Sequence, residues 1–364
     1  MRTTVTDAIL EPAPEAGVAT LEQPGQSATT VDELPGAYAR LRDQVRRAGL
    51  LDHRPYRYGL KIGATIAAFA AGWATFIIVG NTWLSAVVAV LLAVLFTQVV
   101  FLGHDAGHQE IARSARVNRF IGLIVGNGMT GLSFGWWVPK HNAHHAHPNE
   151  VGRDPDIGAG LIAFGVTRSE DCGPARIRMR DRLQGPLFAF VLLLQGLGLH
   201  VTSVQSVLRR RGWLAAIELT LLVVNAVAYL AIVFWVLAPA KACAFIAIQQ
   251  CLFGLYLGFT FAPNHKGMPI ISDGSQSFAR RQVVTARNII GGRVITMVFG
   301  GLNYQIEHHL FPTMPRLNLA HVQPFVRDFC AEHDLPYRQE RLVSSYRQAL
   351  RSLQPQGDTS GSAV

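Results

Sequence analysis

The chain has 364 residues, 49% of them hydrophobic and only 16% charged, with a formal net charge of +9. About a quarter of residues are charged in soluble globular domains, so this composition argues against a soluble protein. Its cations flank apolar runs, which excludes nucleic acid as a partner and points to a membrane. Cys172, Cys243, Cys251 and Cys330 form no CxxC pair, which excludes a zinc ribbon and a disulfide framework.

In chain order, residues 1–34 hold one cation, Arg2, against Asp7, Glu11, Glu15, Glu22, Asp32 and Glu33, with no apolar core. That pattern predicts a disordered arm and no signal peptide. Residues 35–353 read as one domain, and 354–364 as a disordered tail. A hydrocarbon layer takes about 20 apolar residues to cross, and Ile62–Gly80, Trp83–Leu102, Leu187–Val207, Leu214–Leu237 and Ala242–Pro263 have that length. A weaker run, Phe120–Val138, is Gly-rich and broken by Asn127, Thr130 and Ser133. From Pro315 onward the chain reads as soluble helix, with Leu319, Val322, Phe325, Val326, Phe329 and Cys330 on one face.

Most histidines fall at the boundaries of these runs. "GHDAGH" places His104 and His108 at i, i+4 where the second run ends. "KHNAHHAHPN" carries His141, His144 and His145 at i, i+3, i+4. "LNYQIEHHLFP" repeats that spacing with Gln305, His308 and His309, and His265 follows the fifth run. So many imidazoles buried together without a metal would have to satisfy one another's N–H groups and would repel on protonation. Eight imidazoles exceed the ligand set of one ion and suit two ions with about four each. Ligand type alone leaves zinc, copper, iron and nickel open. We read the acids nearby, Asp105, Asp154, Asp156 and Glu307, as partners that orient imidazole N–H groups. Gln305 stands where the other copy has His141, and Asn264 precedes His265; both are expected at the metals, directly or through a water.

For all clusters to share one side, an even number of runs must cross between them. Phe120–Val138 and Leu187–Val207, the latter interrupted by Gln195, Gly196 and His200, are therefore assigned to the interface. The expected architecture is an all-α integral membrane protein with four transmembrane helices in two hairpins. Interfacial helices and a helical cap complete the metal site. Basic residues before the first hairpin, and Arg209–Arg211 before the second, place that side in the cytoplasm.

"GHDAGH", "KHNAHHAHPN" and "GGLNYQIEHHLFP" resemble the three histidine boxes of the membrane fatty-acid desaturases, in order and with a hairpin between. The likeness runs from about Tyr56 to Tyr337 and is similar to bacterial acyl-CoA or acyl-lipid desaturases, actinobacterial ones in particular. It implies two irons held by His104, His108, His141, His144, His145, His265, His308 and His309, with dioxygen as co-substrate. The implied reaction puts a double bond into a long fatty-acyl chain in the bacterial plasma membrane. It also implies a separate electron donor, a ferredoxin or a b-type cytochrome with its reductase. Front-end desaturases share the QxxHH box and often carry a fused heme domain, which we do not expect in the N-terminal arm. A hydroxylase or ketolase with the same metal site is the neighbouring reading. A histidine-rich metal transporter fits less well, because the spans hold almost no ionisable groups.

Overall fold

The computed structural model describes residues 33–157, 174–272, 274 and 276–353. The expectations for residues 1–32 and 354–364 and for Cys172 lie outside what is described. Helix α1 (Glu33–Arg47) precedes the long α2 (Pro55–Val79) and α3 (Ser85–Gly107). Next come α4 (Ala115–Gly122), a π-helical stretch Leu123–Thr130, and α5 (Phe134–Ala146). Three more long helices follow, α6 (Pro174–Arg209), α7 (Trp213–Val236) and α8 (Pro239–His265). The remainder is short: α9 (Phe278–Val284), β1 (Asn288–Ile290), α10 (Arg293–Val298), α11 (Gln305–Leu310), α12 (Leu319–Glu332), β2 (Gln339–Arg341) and α13 (Leu342–Arg351).

Proline at the first position starts both α2 and α8, where its missing N–H costs nothing. α2 and α3 form one hairpin, α7 and α8 the other, close to the predicted runs. α3 and α8 are the inner pair: 56% and 39% of their apolar windows are buried, against 11% for α2 and α7. The outer helices instead expose large apolar side chains such as Ile78 and Trp235, the surface a lipid solvent requires.

Among the described residues five helices are long and apolar enough to cross a membrane, one of them Phe190–Arg209 of α6. Two of the interruptions that set this run apart in the sequence are used in packing. His200 Nδ1 donates to the Gly131 carbonyl at 2.9 Å. Gly196 lets α6 lie directly on α8, where a Cβ at Gly254 would sit 2.4 Å from the Gly196 nitrogen. The weaker run Phe120–Val138 is not one helix: α4 passes into the π-helical stretch, and α5 begins at Phe134.

The all-α expectation needs one correction. β1 and β2 pair in parallel, Asn288 opposite Gln339 and Ile290 opposite Arg341. Strands of three residues are too short to show a period of two, so the sequence carried no signal for them. The C-terminal helices bury the apolar face foreseen for α12, except that Phe325 is only partly covered. Leu41 and Val45 of α1 pack into the same core with Ile306 and Leu310 of α11, so the first helix supports the last histidine box.

Candidate metal centre

Four helix ends deliver the histidines. The last turn and cap of α3 carry His104 and His108, the last turn of α5 carries His144 and His145 one turn after His141, and His265 ends α8. α11 is short and entirely buried, and holds Gln305, His308 and His309. None of the eight imidazoles is more than 9% exposed. Ring nitrogens of His104, His108, His141 and His308 lie within 4.8 Å of one another, as do those of His144, His265 and His309. His145 stands between the groups, Nε2 3.1 Å from His141 Nε2 and its ring 4.2 Å from that of His309. Nε2 of His141 and His104 are 3.2 Å apart, and those of His144 and His265 are 3.4 Å apart.

The far side of several rings is fixed by protein acceptors. His144 Nδ1 donates to Asp154 at 3.0 Å, His265 Nδ1 to the Thr285 carbonyl at 3.0 Å, and His309 Nδ1 to Gln282 Oε1 at 2.9 Å. Each such bond turns Nε2 toward the cluster. Gln282 also donates to the His145 carbonyl at 2.9 Å, joining two boxes. Gln282 and Thr285 were not legible in sequence, because a lone amide and a backbone carbonyl in a connecting segment have no spacing to betray them.

The acids divide. Asp154 orients a ring as expected. Asp156 is 3.6 Å from His144 Nδ1 and is ion-paired to Lys140. Asp105 is 3.9 Å from His104 Nδ1 and pairs instead with Arg316 at 2.8 Å. Glu307 bonds to Asn288 at 2.7 Å and Tyr337 at 2.5 Å, so it braces the loop around α11 rather than an imidazole. Burial pushes its carboxyl up to about 7. Gln305 and Asn264 meet the second group: Asn264 donates to Gln305 Oε1 at 3.0 Å, and Gln305 Nε2 lies 2.9 Å from His265 Nε2. Outside the cluster, His147 pairs with Glu150 and His321 is exposed on α12.

These residues fit a pair of metal ions. Buried Nε2 atoms of His108, His308 and His309 have no hydrogen-bond partner among the described residues. Burial, then mutual repulsion, holds His108, His141, His145, His308 and His309 well below the usual imidazole range, so they are neutral. Two nitrogens each about 2.1 Å from a shared ion stand roughly 3 Å apart, which is the separation of the facing Nε2 pairs.

The fatty acid desaturase family profile matches residues 81–341. The chain is 31% identical to an acyl-lipid (9-3)-desaturase of Physcomitrium patens over 346 residues, which are 88% of this chain and 62% of the moss protein. It is 30% identical to a Delta(8)-fatty-acid desaturase of Euglena gracilis (87% and 77% covered) and 31% identical to a Delta(5) fatty acid desaturase of Caenorhabditis elegans (83% and 69% covered). The chain belongs to the fatty acid desaturase family. It spans less than two thirds of the moss relative's length.

Beside the histidine cluster lies a cavity of about 340 Å³. His104, His141, His144, His265 and Gln305 form one wall. From there it runs between α6 and α8 along Phe188, Leu192, Leu199, Leu257 and Phe261. Trp136 and Trp137 both line it, and Trp137 stacks 4.4 Å from His141. Lys140, Asp156 and Lys266 line the same cavity. The Lys140 and Asp156 side chains are 34% and 38% exposed, so this end reaches solvent.

Proposed function

We propose that the chain is a dioxygen-dependent di-iron desaturase of long fatty-acyl chains, with the eight histidines as its ligands. The observation that carries this reading is the apolar cavity walled on one side by the histidine cluster. Two irons bound there would supply dioxygen activation, the chemistry needed to remove hydrogen from adjacent unactivated methylenes. The protein's own contribution is spatial. Leu192, Leu257 and Phe261 take an alkyl chain out of water, and Trp137 presses it toward the histidine wall. Asp154, Thr285 and Gln282 hold the rings that face it.

The cavity also supports a regiochemistry. Lys140 at the solvent end is adjacent in sequence to His141. A carboxyl-derived head group held there would leave only a few carbons before the metals, with the methyl end running on between α6 and α8. We therefore read the product as carrying its new double bond near the carboxyl end. The named Delta(8) and Delta(5) activities of the relatives agree with that. We read α2, α3, α7 and α8 as the four spans, with the histidine side cytoplasmic. The distribution of arginines supports this, as does the position of His265 at the end of α8 beside the boxes. Reducing dioxygen to two waters takes four electrons, of which the alkane oxidation yields two. A separate donor, a ferredoxin or a b-type cytochrome with its reductase, would supply the rest.

Lipids from an expressing host, analysed by gas chromatography–mass spectrometry after derivatisation of double bonds, test this. The expected product is two hydrogens lighter than its precursor, with the bond near the carboxyl end. A product heavier by oxygen would establish the hydroxylase reading, and a bond near the methyl end would overturn the regiochemistry.

A further inference from the structure

Residues 289–303 form a loop closed at its base, where Ile289 N–H donates to the Asn303 carbonyl at 2.9 Å. α10 is its tip, flanked by Gly291–Gly292 and by Gly300–Gly301, whose φ of 59° and 87° suit glycine. The loop lies against the two inner spans at unexpected depth. Gln98 Nε2 donates to the Met297 carbonyl at 3.4 Å, and Tyr256 Oη to the Val298 carbonyl at 2.8 Å. Gln98 is six residues before His104 and Tyr256 nine before His265. At 1.5 Å per residue these contacts lie about 9 and 13 Å from the metal-bearing ends, inside the apolar part of both spans.

Two further features fit a lipid solvent. The tip exposes Ile290, Val294 and Met297, at 52%, 68% and 65%. Part of its backbone is nevertheless paired inside the protein: Thr296, Phe299, Gly300 and Gly301 donate within the loop, and the spans' side chains take the Met297 and Val298 carbonyls. Hydrocarbon favours carbonyls taken up by the spans in this way, because no water is there to take them. Arg293, exposed at the start of α10, is long enough to reach back to head groups.

We propose that residues 289–303 dip into the bilayer, with Ile290, Val294 and Met297 seated among phospholipid acyl chains. The inference rests on α3 and α8 lying in the membrane. Its consequence is that lipid helps hold the third histidine box. Gln305 follows the loop directly, and Arg316 ties the Gly300 carbonyl (2.7 Å) to Asp105 beside His104.

The test is nitroxide accessibility in phosphatidylcholine vesicles, on the full chain with its native cysteines replaced by alanine. Labels go at Val294→Cys and Met297→Cys, with Leu91→Cys on the exposed face of α3 and Val343→Cys on α13 as references. Collision with dioxygen relative to a water-soluble nickel chelate should be high at positions 294, 297 and 91 and low at 343. A ratio at 294 and 297 equal to that at 343, with 91 high, overturns the dip alone. A low ratio at 91 as well would instead overturn the membrane assignment beneath it. Exclusion of both reagents from 294 and 297 with spin–spin broadening would show a second copy on this face, and would also overturn the proposal.

Discussion

Gln305 shows how one residue departs from a repeated pattern for a chemical reason. The first ligand group has four imidazoles and the second only three, and Gln305 stands against the second. Asn264 donates to its Oε1, which fixes the amide so that its N–H groups face His265. A third imidazole in α11 would titrate and compete for a proton; an amide stays neutral and can both donate and accept. Gln305→Leu keeps the bulk and removes both functions. We expect it to retain most of its bound metal by elemental analysis while turnover falls roughly 10- to 100-fold, the usual effect of deleting a partner next to a metal's ligands. Equal turnover in parent and variant would make Gln305 a bystander.

At the scale of elements, the start of α5 is held by a charge that the sequence placed in a membrane helix. Glu218 of α7 is 3% exposed. It accepts from Ser133 Oγ at 2.6 Å, from Gly135 N–H at 3.1 Å and from Arg210 at 3.0 Å. The pair therefore caps α5 and fixes where its three histidines arrive. It also accounts for an ionisable residue in a span without a transport pathway. Arg210→Ala leaves the buried carboxylate without its counter-ion and should cost about 3 kcal/mol. Glu218→Gln removes the charge with the shape preserved and should cost less. Thermal unfolding in detergent checks the order, and a larger loss for Glu218→Gln would refute the assignment.

The whole molecule is organised by parity. His144 and His265 face each other at 3.4 Å, so their helices must end on one side of the membrane. Three helices lie between them in sequence: α6, α7 and α8. If α7 and α8 cross, α6 must begin and end on the metal side despite its length. Cysteine labelling with an impermeant maleimide resolves this. Arg211→Cys, between α6 and α7, should react from the same side as Val343→Cys. Thr82→Cys and Ala238→Cys, in the hairpin turns, should react from the other. Arg211→Cys grouping with Thr82→Cys would make α6 a span and would require a different path back to the metals.

Much of this protein was readable before folding. Histidine spacing at i, i+3, i+4 is a property of one helix face, so His141, His144 and His145 declare themselves locally, as do apolar runs of membrane length. His265 was legible only because a run boundary placed it beside the boxes. What the tertiary structure decided is everything that depends on separate segments meeting. Sorting the histidines into groups of four and three is set by four helix ends converging. The same holds for Gln282 and Thr285 as ring holders, and for the diversion of Asp105 to Arg316 and of Glu307 to Tyr337. A carboxylate's partner is whichever donor packing brings within about 3 Å, and sequence distance carries no information about that. The two three-residue strands and the loop at 289–303 belong to the same class. Their hydrogen bonds join residues tens to hundreds of positions apart, where no local periodicity exists to record them.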